Sequence, residues 1–333
     1  MKKIALTLVI LATWGISASF GQQVRVRLTH DASFTNIYVI NTMQQNLSKV
    51  LTEINTAQQM NRPLNVALLP ANDMAKKTLT ELWANIHFYC DDPQVIERVW
   101  NFSNGYMVRQ VPLIITPTKE TFGAGTFQEA IVYFDRNGTI TDFLFSSDIM
   151  NGESLEKGGD PVDIERKMKI LQYVERFRTA YNTKDMNFMN QIFSEDALII
   201  TGSVITTRPS SMAAPVSSVR YKKQNKQEYL ANLKKAFDRN SWIQVKFDQI
   251  GDHGETGAEK GITQSINNPN MYGVRLRQEW HSSTYHDIGY IFLLWDFTDE
   301  NAPVIHVRTW QPEWVGDKKL QPEQVFSLED WNL

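Results

Sequence analysis

A single cysteine, Cys90, is all that these 333 residues offer to disulfide chemistry. An internal disulfide is therefore excluded, and stability has to come from a packed core. Cys90 reads as a small buried apolar residue, because a catalytic thiol needs a base beside it and the sequence gives no local sign of one. Positive charge is in short supply as well. Lys and Arg number 34 against 37 Asp and Glu, a net charge of −3, and two of the lysines fall in the first 21 residues. That balance leaves no electrostatic footprint for nucleic acid. The one basic cluster, Arg220, Lys222, Lys223, Lys226, Lys234 and Lys235, reads as a solvated helix face with its lead-in loop. Past residue 21 no apolar run is long enough to cross a bilayer, so no membrane span is expected in the mature chain.

Catalytic signatures are missing too. There is no GxSxG, no Cys-x-x-Cys and no Walker pattern. Gly123-Ala124-Gly125 lacks the strand-to-helix setting of a phosphate loop and reads as a turn. His281 and His286, in HSSTYH, have no third ligand nearby and suit neither the helical nor the alternating-strand pattern of a zinc site. They read as turn residues. No metal, no cofactor and no catalytic residue is assigned from sequence.

What is present begins with a leader. Lys2 and Lys3 precede the apolar run Ile4–Ala18, and small residues follow up to Gly21. This is the layout of a secretory signal peptide, residues 1–21, cleaved near Gly21–Gln22. The expected location is the periplasm or the outside of a Gram-negative cell. No Cys follows the run, so lipid attachment there is not expected.

The remainder reads as two α+β halves, 22–148 and 163–315, joined by a Gly-rich linker, 149–162, with a C-terminal tail, 316–333. The first half opens with a strand at Val24–Leu28. The spacing then predicts helices at Thr35–Gln59 and Asn72–Asn85 and a short one at Pro93–Trp100. Strands are expected at Tyr106–Thr116, Phe127–Asp135 and Ile140–Ser146, the last two joined through Arg136-Asn137-Gly138 as a two-residue hairpin. In the second half Ile164, Met168, Leu171, Val174, Phe177 and Tyr181 form one helical stripe, with Asp163 as cap. A short helix at Met186–Phe193 is capped by Asp185, and a strand follows at Ala197–Thr201. Gly202–Lys223 reads as loop, Lys226–Phe237 as helix and Trp242–Phe247 as strand. The segment Met271–Trp314 reads as three long antiparallel strands joined by two tight turns. Each half thus ends in a hairpin with an acidic residue, Asp135 or Asp296, at the end of an apolar strand, a sign of tandem duplication.

ILQYVERFRTAYNTKDMNFMNQIFSEDALIITG (170–202), the KQEYLANLKKAF helix and the strands through HVRTWQPEW carry a resemblance to the nuclear transport factor 2-like superfamily. Ala180, Tyr181, Asn182, Asp185, Phe193, Asp196 and Ala197 stand at that family's motif positions. The resemblance implies helices packed in a curved antiparallel sheet, a cone whose mouth often holds a ligand. It makes the first half a divergent copy of the same cone. The whole chain also resembles a group of exported Gram-negative proteins with this two-part layout.

Family members include isomerases and dehydratases that set a carboxylate or His base in an apolar pocket. The counterparts here would be Glu279, Tyr290, Asp296 and His306, none inside a motif shared with a catalytic member. Alternation places His306, Arg308 and Trp310 on one face of the last strand and Ile305, Val307 and Thr309 on the other. The bland reading pairs Glu279 with Arg308 across strands and lets Asp296 begin a turn. Trp242, Trp280, Trp295, Trp310 and Trp314 read first as packing, Trp314 being the most exposed. The candidate binding set is Tyr181, Glu279, Trp280, Tyr290, Asp296, His306, Arg308 and Trp310. Three functions fit: a non-catalytic binding or assembly module of the envelope, an acid/base enzyme on a small apolar molecule, or a structural homodimer through the sheet face. The partner would be a small molecule, a peptide, a glycan or an envelope protein.

Expressed with its leader in a Gram-negative host, the chain should be recovered from the periplasm or medium starting at Gln22. Intact-mass measurement checks this, and a mass retaining residues 1–21 refutes the leader.

Overall fold

The computed structural model describes residues 23–30, 34, 36–102, 104–116, 126–146, 161–208, 214–248, 250 and 262–331. The leader, the Gly123–Gly125 turn and residues 149–160 of the linker lie outside them.

The fold is α+β, built on two curved sheets. The first is six-stranded, in the order β1 (Arg25–Thr29), β3 (Gln94–Phe102), β4 (Gly105–Thr116), β5 (Thr126–Phe134), β6 (Ile140–Phe145), with β2 (His87–Tyr89) also on β4. Helices α1 (Ile37–Met60) and α2 (Asp73–Asn85) fill its inner face. Asn36 and Asn72 cap them by accepting from the Val39 and Ala75 amides. Three α1 side chains a helical turn apart, Gln44, Ser48 and Thr52, accept the Leu28, Val26 and Val24 amides. The outer edge of β1 is thereby closed by a helix rather than left open to another strand.

Four sequence expectations for this half need correction or refinement. Pro93–Trp100 is strand, not helix: Val95 and Val99 point into the core while the backbone pairs with β1 and then β4. Three β-branched residues, Val95, Ile96 and Val99, agree with that state. The β5–β6 turn is longer than a two-residue hairpin. The Asp135 carboxylate accepts the Asn137 and Thr139 amides, and Gly138 takes a positive φ of 85°. Helix α1 starts two residues late, at its Asn36 cap. The parallel β1–β3 pair, whose first strand precedes the helices, departs from the order of the second half.

The second unit comprises α3 (Pro161–Thr183), α4 (Met186–Ile192), β7 (Phe193–Thr207), β8 (Val216–Gln224), α5 (Lys226–Arg239), β9 (Ile243–Asp248), β10 (Ile262–Gln264), β11 (Met271–Ser282), β12 (His286–Asp296) and β13 (Val304–Pro312). The sheet order is β10-β11-β12-β13-β7-β8, with β9 also on β11, and β13 runs parallel to β7. Asp185 caps α4, while Asn225 and Glu228 form a capping box on α5. Asp163 lies inside α3, not at its cap. Gly202–Lys223 is not loop throughout: β7 and β8 pair from Ile199–Gln224 to Thr207–Val216 as a projecting hairpin. The β12–β13 connection, Phe297–Pro303, is not a tight turn.

Helix α3 lies between the two units. Ile170, Val174, Phe177 and Tyr181 enter the second core, whereas Met168 packs on Met107, Ile131, Tyr133 and Leu144 on the back of the first sheet. On that same side Glu175, fully buried, accepts from Arg109 at 3.0 Å and from the Tyr133 hydroxyl at 3.3 Å. Arg178 reaches both units at once. It donates to Gln128 Oε1 and the Ser146 carbonyl in the first, and to the Val245 carbonyl in the second. Burial pulls its guanidinium down to about 10, so it stays charged at neutral pH. Asn85 on α2 adds a two-way backbone bridge to Ile243 on β9.

Residues 316–331 are not a loose tail. After the β14–β15 hairpin (Trp314–Val315, Lys318–Lys319) the chain crosses the outer face of the second sheet. Phe326, Leu328 and Trp331 cover Phe292, Leu294 and Val307, and Trp331 stacks on Phe292. Leu328 sits over Gly273, where an added Cβ would meet it at 2.7 Å. Part of the face expected to serve a homodimer is thus occupied by the chain itself.

Replacing Glu175 by Ala strands the Arg109 guanidinium in the interior and should cost about 3–5 kcal/mol. Glu175→Gln, which keeps an acceptor for Tyr133, should cost less. Urea unfolding of both variants measures the difference.

Candidate functional site

Strand register decides which side chains enter the second unit. Val274, Leu276, Gln278 and Trp280 on β11 stand opposite Leu293, Ile291, Gly289 and Asp287 on β12, and the first three of these face Arg308, Trp310 and Pro312 on β13. Val274, Leu276, Ile291 and Leu293 belong to the second core with Trp280 and Trp310 against it, so this row lines the concave face. Glu279, Tyr290 and Asp296 have the opposite parity and lie on the convex face.

On β13 the parity breaks. Trp295 pairs with Ile305 but Leu294 pairs with Val307, so His306 is the extra residue of a β-bulge. The alternation read from sequence fails at that point. His306 is separated from Arg308 and Trp310, and Ile305 turns inward while Val307 faces out.

The eight candidate residues therefore fall into three places. Tyr181, Trp280, Arg308 and Trp310 share the concave interior. Glu279 and Tyr290 join an outer cluster centred on Arg277. There Arg277 donates to Glu313 at 2.9 Å and to Glu279, and the Tyr290 hydroxyl donates to Glu313 at 3.3 Å. His281, 3.7 Å away, together with the Arg277 hydrogen bond and charge, outweighs burial and holds Glu279 at about 2. Asp296 and His306 pair at 3.2 Å at the far end of the outer face, where Ser194 and Asp196 also meet the imidazole. Asp296 also begins a turn, accepting from the Thr298 amide. A Glu279–Arg308 pair does not form, because the two lie on opposite faces. His281 and His286 are the last rung of the β11–β12 ladder, with rings 4.3 Å apart, not residues within the turn. Among the described residues no group of three or more His, Cys, Asp or Glu could hold a metal.

The interior set is denser than the sequence suggested. The Tyr181 and Tyr229 hydroxyls are 2.6 Å apart, and the Arg308 guanidinium lies 5.2 Å from the Tyr229 ring centre. Tyr181 meets Trp280 edge-on at 5.4 Å. Burial raises the Tyr181 hydroxyl well above its ordinary range, with the Arg308 charge pulling the other way. Arg308 is 6% exposed, its Nε finds no acceptor, and no described carboxylate comes within ion-pair distance. Asp287 receives the Tyr285 hydroxyl on one oxygen at 2.8 Å, and its other oxygen is buried without a partner. Burial raises its carboxyl pKa, opposed by that bond and by nearby His286 and Arg308. Gln278 Oε1 and Asn182 Nδ2 are likewise buried and unmatched. Each such group costs about 1–3 kcal/mol if nothing meets it.

Tyr229, Asp287 and Gln278 are not candidates from sequence, and Asn182 stands there only at a family motif position. Tyr229 was visible only as part of a helix stripe, and Asp287 needed the hairpin register with Trp280. Trp295 is fully buried and Trp314 is 52% exposed, as expected for packing and surface positions. Cys90 is buried, and burial pushes its thiol up to about 11.

No family model matches the chain, and no curated protein matches it. Among solved structures it is similar to a nuclear transport factor 2-like protein of unknown function from Shewanella oneidensis MR-1. The identity is 18%, over 44% of this chain and 98% of that one, with a TM-score of 0.31. A nuclear transport factor 2-like superfamily protein from Salmonella enterica serovar Typhimurium LT2 is 11% identical over 46% and 96%, TM-score 0.32. A protein from Novosphingobium aromaticivorans DSM 12444 assigned as a scytalone dehydratase is 10% identical over 48% and 91%, TM-score 0.32. These likenesses concern the arrangement of helices and sheet, and they say nothing of a ligand here.

Trp310 and its strand lie so close over Gly289 that an added Cβ would come 2.8 Å from the indole and 2.3 Å from the Gln311 carbonyl oxygen. Gly289→Ala should therefore cost about 1–3 kcal/mol and shift the tryptophan emission as the indole is displaced. Thermal unfolding followed by fluorescence reads both.

Proposed function

We propose that this protein is an exported, non-catalytic binding module of the bacterial envelope, and that its C-terminal cone takes a small molecule bearing an anionic group. The observation that carries the reading is Arg308: a guanidinium on the concave face, almost wholly buried, with an unmatched Nε and no carboxylate in contact. Tyr181, Tyr229 and the Asp287 charge offset the burial of its guanidinium, and a bound carboxylate or similar anion would add a charge-assisted hydrogen bond at the unmatched Nε. Trp280, Trp310 and Tyr229 supply apolar walls around it. Export is inferred from the basic-then-apolar leader.

A second reading, acid/base catalysis in the same cone, is favoured by Asp287 and not by the residues first considered for it. On the convex face Glu279 pairs with Arg277 and Asp296 meets His306, whereas Asp287, half-buried on the concave row, keeps one buried oxygen without a partner. Its base would act on a substrate anchored at Arg308.

The test is a fluorescence and calorimetric titration of the mature chain with aromatic and aliphatic monocarboxylates and their uncharged amides. The carboxylates should bind and raise the melting temperature, the amides should bind at least about tenfold more weakly, and Arg308→Met should abolish the difference. Equal binding of acid and amide would sink the anionic reading.

A further inference from the structure

One edge of the second sheet carries a surface that the cone does not use. In the order β10-β11-β12-β13-β7-β8 the last strand, β8, has β7 on one side and no described strand on the other. Its nine residues, Val216–Gln224, therefore present a row of backbone N–H and C=O groups to the outside. The edge is held in place along its length. Gly316 lies against Ser217, where an added Cβ would come 3.1 Å from the hydroxyl oxygen. The Tyr221 hydroxyl accepts from Gln311 at 3.1 Å, and its ring meets Phe326 edge-on at 5.6 Å. Gln224, at the end, is buried.

The charge of this edge is one-sided. Residues 197–227 contain five basic residues, Arg208, Arg220, Lys222, Lys223 and Lys226, and no Asp or Glu, in a chain of net charge −3. Lys226 is taken by Glu195 at 2.7 Å. Arg220, Lys222 and Lys223 are exposed, and no described carboxylate pairs with them. Register puts Arg220 opposite Ser203 and Lys222 opposite Thr201 on one face of the ribbon, and Lys223 opposite Ile200 on the other. Strand β7 thus supplies no anion to either face. Val204 and Val216, both exposed, add apolar surface beside the cations.

Such an edge discriminates among strands. A second copy of β8 would set the same three cations against themselves, and like charges across strands are destabilising. The cations thereby guard the edge against self-association. An acidic strand gains twice, from ladder hydrogen bonds with the open backbone and from opposite-charge pairs at Arg220, Lys222 and Lys223. We propose that β8 is a docking edge for an extended acidic segment of a partner protein, which adds to the second sheet as its outermost strand. The site lies outside the cone and does not depend on what the cone holds.

The probe is a short peptide alternating glutamate and valine, titrated by calorimetry into the full mature chain at low salt. Beside it stand a lysine–valine counterpart and the same acidic peptide N-methylated throughout, which keeps the charge but has no N–H to donate. The acidic peptide should bind about tenfold or more tightly than either control. Hydrogen exchange should slow in residues 216–224 and not in the strands that line the cone. Arg220→Glu with Lys222→Glu should weaken binding about tenfold or more at unchanged circular dichroism, whereas Lys234→Glu with Lys235→Glu, exposed cations on α5, should not. Equal binding of the N-methylated peptide, or equal binding by the β8 charge-reversed variant, would overturn the proposal. Vesicles containing phosphatidylglycerol that bind where the acidic peptide does not would overturn it too, and would assign the basic edge to a membrane surface.

Discussion

Helix α3 is the element on which the rest of this structure depends. It is the central helix of the second core and at the same time the cover on the back of the first sheet. One stripe, through Ile170, Val174, Phe177 and Tyr181, is apolar or aromatic and serves the second unit. The opposite stripe, through Met168, Glu175 and Thr179, is mixed and serves the first. Burying a carboxylate there is tolerable only because Arg109 and Tyr133 wait for it on the facing sheet. Arg178 closes the arrangement by satisfying carbonyls from both units with one planar group. The two halves are therefore joined by directional polar contacts as well as by the apolar cluster around Met168, and these fix α3 and with it Tyr181.

The second sheet is covered on both sides, by helices within and by residues 316–331 without. That double cover explains why β12 is buried along most of its length and why its outward row is Phe292 and Leu294 instead of polar residues. It also separates two kinds of charge. On the outside, Arg277 with Glu279 and Glu313 forms a satisfied network, the usual fate of ionisable residues on a sheet. On the inside, Arg308, Asp287, Gln278 and Asn182 leave hydrogen-bonding positions open. Each unmatched buried polar group asks for an explanation, and the functional reading rests on the inside set.

Much of the fold was legible. The helix stripes of α1 and α5, most of that of α3, the Asp185 cap and the three long strands came from periodicity and turn chemistry, because burial on one side imposes a period on sequence, but Met168, expected on the α3 stripe, packs on the first sheet instead. β3 was misread because its apolar spacing in QVIERVW also suits a short helix, and only pairing with β1 and β4 settles the matter. The β7–β8 hairpin was hidden because its side chains are largely exposed and carry no alternation. At the site, four of the eight candidates, Tyr181, Trp280, Arg308 and Trp310, fall on the concave side. Glu279, Tyr290, Asp296 and His306 were set beside them because alternation gives relative parity along one strand, but neither the sense of the face nor the position of a bulge.

By itself, the sequence determined what each segment is able to be: two α+β halves, one thiol too few for a disulfide, and a last set of strands rich in aromatics and ionisable groups. Those properties are local, set by composition and by the periods of helix and strand. Tertiary structure decided which of the ionisable groups meet one another. A single extra residue at His306 turns that imidazole away from Arg308, and the register of β11 with β12 brings Asp287 under Trp280. Register and bulges arise from packing between segments distant in the chain, so no pattern within one strand can announce them.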